Sequence, residues 1–168
     1  MSAYITSKLN QFVYNGRVRT RIGQPVSTIS FREILDERKI LLINLCKGQL
    51  ESQFLGMIMP GKFFWAALSR ATQHAAQRVP HNLYIDEFRN FTTDTVAHMM
   101  REARKFELRL VLANQNLGQL ESHLDGNRAG VLEAVLGNAP SMLTFRTGVM
   151  DAKKVKAYME PEFSAQDL

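Results

Sequence analysis

An α/β fold with a mainly parallel sheet is the architecture this sequence predicts, and three observations predict it. Short apolar runs rich in strand formers recur at residues 40–45 (ILLINL), 83–85 (LYI), 110–113 (LVLA) and 142–145 (MLTF). They are near-continuously apolar rather than alternating, as in strands covered on both faces by helices. Helical patterns fill the intervals between them, the order that builds right-handed crossovers between parallel strands.

The elements follow in chain order. The first thirty residues, with Gly16, Gly23 and Pro25, read as a lead-in segment of one partial domain over 1–168. Arg17, Arg19 and Arg21 alternate there, so an extended backbone would put all three on one side, suited to phosphates or an acidic partner. After the first run, a helical region spans about 53–77, kinked or restarted at Pro60-Gly61. Thr92 or Thr93 is placed to cap a helix through about Phe106, with Val96, Met99, Met100, Ala103 and Phe106 on one apolar face. Residues 126–138 and 151–159 read as shorter helices.

Composition narrows the class. With 168 residues, 45% hydrophobic and 22% charged, the chain is long enough and apolar enough for a buried core. A net charge of +5 favours a polyanionic partner. Cys46 is the only cysteine, which rules out an internal disulfide and fits a reducing compartment. His74, His81, His98 and His123 show no zinc-ligand spacing. The most apolar window, 55–68, is too short to cross a membrane and is broken by Pro60, Gly61 and Lys62, so no membrane insertion is expected of this segment.

Ligands of open parallel sheets gather beyond the carboxyl ends of the strands, so the strand ends carry the functional reading. Asp86 and Glu87 close the second run. An apolar strand ending in Asp-Glu is the Walker B pattern of P-loop ATPases. There the Asp holds magnesium, commonly through water, and the Glu polarises the attacking water. A solvated strand end would look the same. Gln115 follows the third run, where an amide can donate to a terminal phosphate and accept from the lytic water. Arg104, with Arg101 and Lys105, lies off the apolar stripe of the intervening helix. It reads either as a solvated basic face or as a guanidinium supplied to a neighbouring subunit's phosphoryl group.

Residues 56–63 (GMIMPGKF) nearly satisfy the phosphate-binding pattern GxxxxGK[ST] but fail it. Phe63 has no hydroxyl for magnesium, the first Gly does not directly follow a strand, and three bulky apolar residues fill the loop. No other Gly-Lys pair occurs, so a catalytic phosphate cradle is not expected from these residues.

Several segments together resemble the HerA-like and FtsK-like DNA-translocating ATPases, and especially the TraG/TraD-like coupling proteins of conjugation. They are residues 40–48 (ILLINLCKG), 66–70 (AALSR), 83–88 (LYIDEF), 101–106 (REARKF), 112–120 (LANQNLGQL) and Phe145-Arg146. The resemblance implies the C-terminal half of a RecA-like three-layer domain lacking the P-loop strand, which would lie upstream. It implies a cytoplasmic, hexameric motor that pumps DNA using ATP and Mg2+ and meets secretion or relaxosome proteins. Any membrane attachment would come through other segments. Asp86 and Glu87 would be the Walker B pair, Asp86 the magnesium ligand, Gln115 the phosphate sensor and Arg104 the arginine finger. Arg146 would approach nucleotide or else form a structural salt bridge, and Arg70 is read as a helix-surface charge. Without a phosphate cradle these residues alone would neither hydrolyse ATP nor hold it tightly. The alternative is a non-catalytic nucleic-acid- or protein-binding module of the same fold.

Overall fold

The computed structural model describes residues 10, 14–46, 48–91, 94–120 and 129–159. Its elements are α1 (Gly16–Ile22), α2 (Phe31–Asp36), α3 (Leu50–Leu68), β1 (His81–Ile85), α4 (Asp94–Glu102), β2 (Leu108–Leu112), α5 (Ala129–Asn138) and α6 (Val149–Met159). Thr92 and Thr93, expected to cap α4, lie outside the described residues.

β1 and β2 pair in parallel, with His81 opposite Leu108 and Ile85 opposite Leu112. The crossover between them contains α4, whose Val96 and Met99 are buried as its 3.6-residue period requires, and the 3-10 turn Ala103–Phe106, which buries Ala103 where the helix was expected to continue. Side chains alternate across a strand, so Leu83, Ile85, Leu108, Leu110 and Leu112 share one face of the pair. That face carries both of the larger hydrophobic clusters among the described residues. Leu83, Leu108 and Leu110 pack with Phe63, Phe64 and Ala67 of α3 and Met99 of α4. Ile85 and Leu112 pack with Phe88, Leu120 and Val131 and Leu132 of α5.

The opposite face departs from the expectation of helices on both sides. Tyr84 is 70% exposed and Val111 is 45% exposed, so the described residues cover one face only. Two expected strands are also without a ladder among those residues. Residues 40–45 are irregular, with Ile40 and Leu42 nearly 90% exposed while Leu41 packs against the core. Residues 142–145 are irregular too, with Leu143 and Phe145 facing solvent. Apolar composition marks strand propensity, but a ladder needs a neighbouring edge as well.

Two further expectations change. α3 runs unbroken through Pro60. Proline deletes the bond to the Gly56 carbonyl, yet burial of Phe63, Phe64 and Ala67 on the same helix outweighs one lost rung. The helix stops at Leu68 and gives way to short 3-10 turns at Ser69–Thr72 and Ala75–Gln77. Residues 17–21 are helical, not extended. A helix rotates alternate residues by about 200°, so the alternation of arginines no longer gathers them on one side.

Candidate functional site

The residues expected to act together at the strand ends are positioned by a ladder that outlasts the strands. Ala113 N–H donates to the Ile85 carbonyl at 3.0 Å, and Phe88 N–H returns to the Ala113 carbonyl at 3.2 Å. The turn after β1 is thereby stitched to the loop after β2. Within that frame Gln115 Nε2 donates to Glu87 Oε1 at 2.6 Å. Asp86 Oδ1 accepts from the Glu87 backbone N–H at 2.9 Å, and Arg89 Nε lies 3.6 Å from Glu87 Oε2.

Glu87 reaches this position with φ of 51°, a left-handed conformation that costs a non-glycine residue on the order of 1 kcal/mol. The turn aims the two adjacent carboxylates differently. Asp86 is exposed, whereas Glu87 is half-buried against Gln115 and Arg89. One acid thus stands in solvent while its neighbour is held by an amide. Chemically, an exposed carboxylate can meet a hydrated cation, and a carboxylate held in one orientation can accept a proton from water.

A cleft of about 330 Å³ opens beside the pair, lined by Leu45, Phe63, Tyr84, Asp86, Glu87 and Phe91 among others. Its floor depends on Gly56. A Cβ there would lie 2.1 Å from Phe91 Cε1, so only glycine lets the aromatic ring sit on α3. The whole stretch 56–63 lies in α3, with Phe63 buried, as its rejection as a phosphate loop requires.

Arg104 does not join this cluster. It is exposed in the 3-10 turn Ala103–Phe106 that precedes β2, at the rim where the strands begin. Five residues at about 3.3 Å each put roughly 16 Å of strand between that rim and the carboxylates. Within one chain it cannot reach them. Arg146 is exposed in the irregular segment before α6.

Arg70 corrects the expectation of a surface charge: it is fully buried. Its Nε donates to Asp36 Oδ1 at 2.9 Å, and Nη1 donates to the carbonyls of Val79 and Phe106 at 2.9 and 3.1 Å. Nη2 also lies 2.9 Å from Asp36 Oδ1. Arg70 is therefore a structural hub. Burial raises the Asp36 carboxyl, but the hydrogen bond from Arg32 and the charges of Arg70 and Arg32 outweigh it and hold it below its ordinary value. Burial, helped by the Arg70 charge, pushes the His81 imidazole down.

The sequence reading missed Asp151. Buried in the first turn of α6, it accepts the backbone N–H groups of Leu117 and Gly118. An acid in a first helical turn was visible, but its partners 33 and 34 residues earlier were not.

Among the described residues, no group of three or more His, Cys, Asp or Glu side chains could hold a metal ion, and no helix is long and apolar enough to cross a membrane. No curated protein and no solved structure matches the chain. Residues 80–158 match the family model described as the TraM recognition site of TraD and TraG. That stretch contains Asp86, Glu87, Arg104, Gln115, Arg146 and Asp151, and the match supports its relationship to TraG/TraD-like coupling proteins.

Proposed function

We propose that this chain is part of an ATP-driven, DNA-translocating motor of the conjugative coupling type, with the RecA-like sheet its sequence predicts. The observation that carries the reading is the 2.6 Å bond between Gln115 and Glu87, with Asp86 adjacent, at one rim of a parallel pair. The donor chemistry fits ATP and Mg2+. A lone exposed carboxylate is a poor all-protein metal site, but magnesium bound to nucleotide keeps water and phosphate ligands and needs only one or two protein oxygens. Asp86 would hold that ion, which would neutralise charge on the phosphates. Glu87 would orient the attacking water and accept its proton. Gln115, already bonded to Glu87, would set the angle of that carboxylate and sense the terminal phosphate. Arg104, remote from its own chain's carboxylates, would serve the site of a neighbouring subunit in a ring, and Arg146 would approach nucleotide from the segment before α6. The β- and γ-phosphates require a binding loop from residues other than these.

The test is DNA-stimulated ATP hydrolysis by the complete product of the encoding gene. Glu87→Gln should cut turnover by at least about a hundredfold while ATP still binds. Normal turnover in that variant would remove Glu87 as the base. Arg104→Ala subunits mixed with Glu87→Gln subunits should recover activity at interfaces where both intact groups meet. No recovery in mixed rings that demonstrably form would end the role in trans.

The description of the matching family model favours a second reading, a module that binds a relaxosome protein such as TraM. Calorimetric titration of a TraM-type protein into this chain tests it. Binding that survives Glu87→Gln unchanged would separate docking from catalysis.

A further inference from the structure

We propose that Asp151 is a positioning residue for Gln115, clamping the sensor loop from the α6 side. The proposal rests on the reading of Gln115 given above. Gln115 sits in a loop fixed at both ends. Upstream, Ala113 is laced to Ile85 and Phe88 by two backbone bonds. Downstream, both Asp151 oxygens are engaged, Oδ2 by Leu117 N–H at 2.8 Å and Oδ1 by Gly118 N–H at 3.3 Å. Asp151 is only 7% exposed, so these bonds are sheltered from water. Bonds of backbone N–H groups to a charged acceptor are stronger than neutral ones.

The placement is more specific than a cap. An acid at the third position of a helix would ordinarily reach back to the backbone N–H of the residue that caps its own helix. Here it turns to a loop more than thirty residues away, while the α6 start is closed by Asp151 N–H and Ala152 N–H on the Gly148 carbonyl. Two residues separate Gln115 from Leu117. A loop held at 113 and at 117–118 keeps the Gln115 backbone beside Glu87, and the exposed side chain meets that carboxylate from there. Releasing the downstream clamp would let the amide drift, and misplacing a group by about 1 Å can cost up to a hundredfold in rate.

Two measurements test this. In the present chain, the exposed side-chain amide of Gln115 should show protection from hydrogen exchange relative to a free amide, through its bond to Glu87. Asp151→Asn replaces one acceptor oxygen with a donor, so that protection should fall at least tenfold while the amides of β1 and β2 keep theirs. Gly118→Pro retains the carboxylate and deletes one donor, and should give a smaller loss, which keeps the question answerable if Asp151→Asn folds poorly. Undiminished protection of the Gln115 amide in either folded variant overturns the clamp.

In the complete motor, Asp151→Asn should lower kcat about tenfold or more with KM for ATP unchanged. The double variant with Gln115→Ala should be no slower than Gln115→Ala alone. Additive losses would mean that Asp151 acts by general stability and would overturn the proposal. If Gln115→Ala leaves turnover intact, the sensor reading fails, and the exchange measurement alone decides the clamp.

Discussion

The two rims of the β1–β2 pair use charge in opposite ways. Where the strands begin, Arg70 is sealed from solvent and its donors meet Asp36 and the carbonyls of Val79 and Phe106. Arg78 beside it donates to the carbonyls of Arg70, Gln73 and Lys105 and stacks 5.3 Å from the Phe106 ring centroid. Where the strands end, Asp86 is open to solvent and Glu87 sits in a left-handed turn beside a cleft. One rim consumes its charges in holding elements together; the other leaves the Asp86 carboxylate exposed to solvent. Charge alone therefore does not single out a candidate site in this protein; the proposed site rests on charge together with exposure, strain and an adjoining cavity.

The largest expected effect lies at the first rim. Arg70→Ala should destabilise the fold by about 3 kcal/mol or more, because it empties a fully buried position and leaves the carbonyls of Val79 and Phe106 without their donor. Arg104→Ala, on the exposed turn of the same rim, should stay within about 0.5 kcal/mol. Urea midpoints at constant m-value would read both. Equal losses would show that the two arginines do the same work.

Acid should loosen the same rim in two windows. His81 has its pKa lowered in the fold, so its contribution is present above about 6.5 and is lost as pH falls through the folded value. Asp36 is also lowered, so its contribution is lost only below about 3.8. Comparing wild type with His81→Asn between pH 7 and pH 5 isolates the first window. The variant should show the flatter stability profile, and parallel profiles would remove His81 from the account.

At the second rim, Gly56→Ala should cost about 1 kcal/mol net. Alanine favours a helix by about 1 kcal/mol, but crowding of a packed site costs about 1–3. The Phe91 ring carries the clash. Adding Phe91→Ala should therefore recover part of the loss in a double-mutant cycle, and strict additivity would place the strain elsewhere.

How much of this was legible in the sequence follows from the range of the interactions. The helix carrying Val96 and Met99 and the two paired strands were readable because period and apolar content are local. So was the meeting of Glu87 with Gln115, since parallel strands joined by one crossover bring their ends to a common rim. Arg70 and Asp151 were not readable, because their partners lie up to 36 residues away and their own neighbourhoods look like ordinary helix surface. Residues 40–45 and 142–145 misled for another reason. Their composition speaks for a strand, but pairing depends on which edges stand next to them.

The smallest effect sharpens the comparison most. Glu87 and Glu107 both hold left-handed φ values, 51° and 58°, one at each rim. Glu107 ends the turn before β2, and its exposed ion pair with Arg109 is worth at most a few tenths of a kcal/mol. Glycine accepts that backbone freely, so Glu107→Gly should gain about 0.5 kcal/mol after glycine's own entropic cost. Glu87→Gly receives the same relief but loses the bond from Gln115, which is worth on the order of 1 kcal/mol. It should come out neutral or slightly destabilised. If both glycine variants gain equally, Glu87 and Gln115 are not bonded in solution, and the second rim has strain without the contact that the proposed site requires.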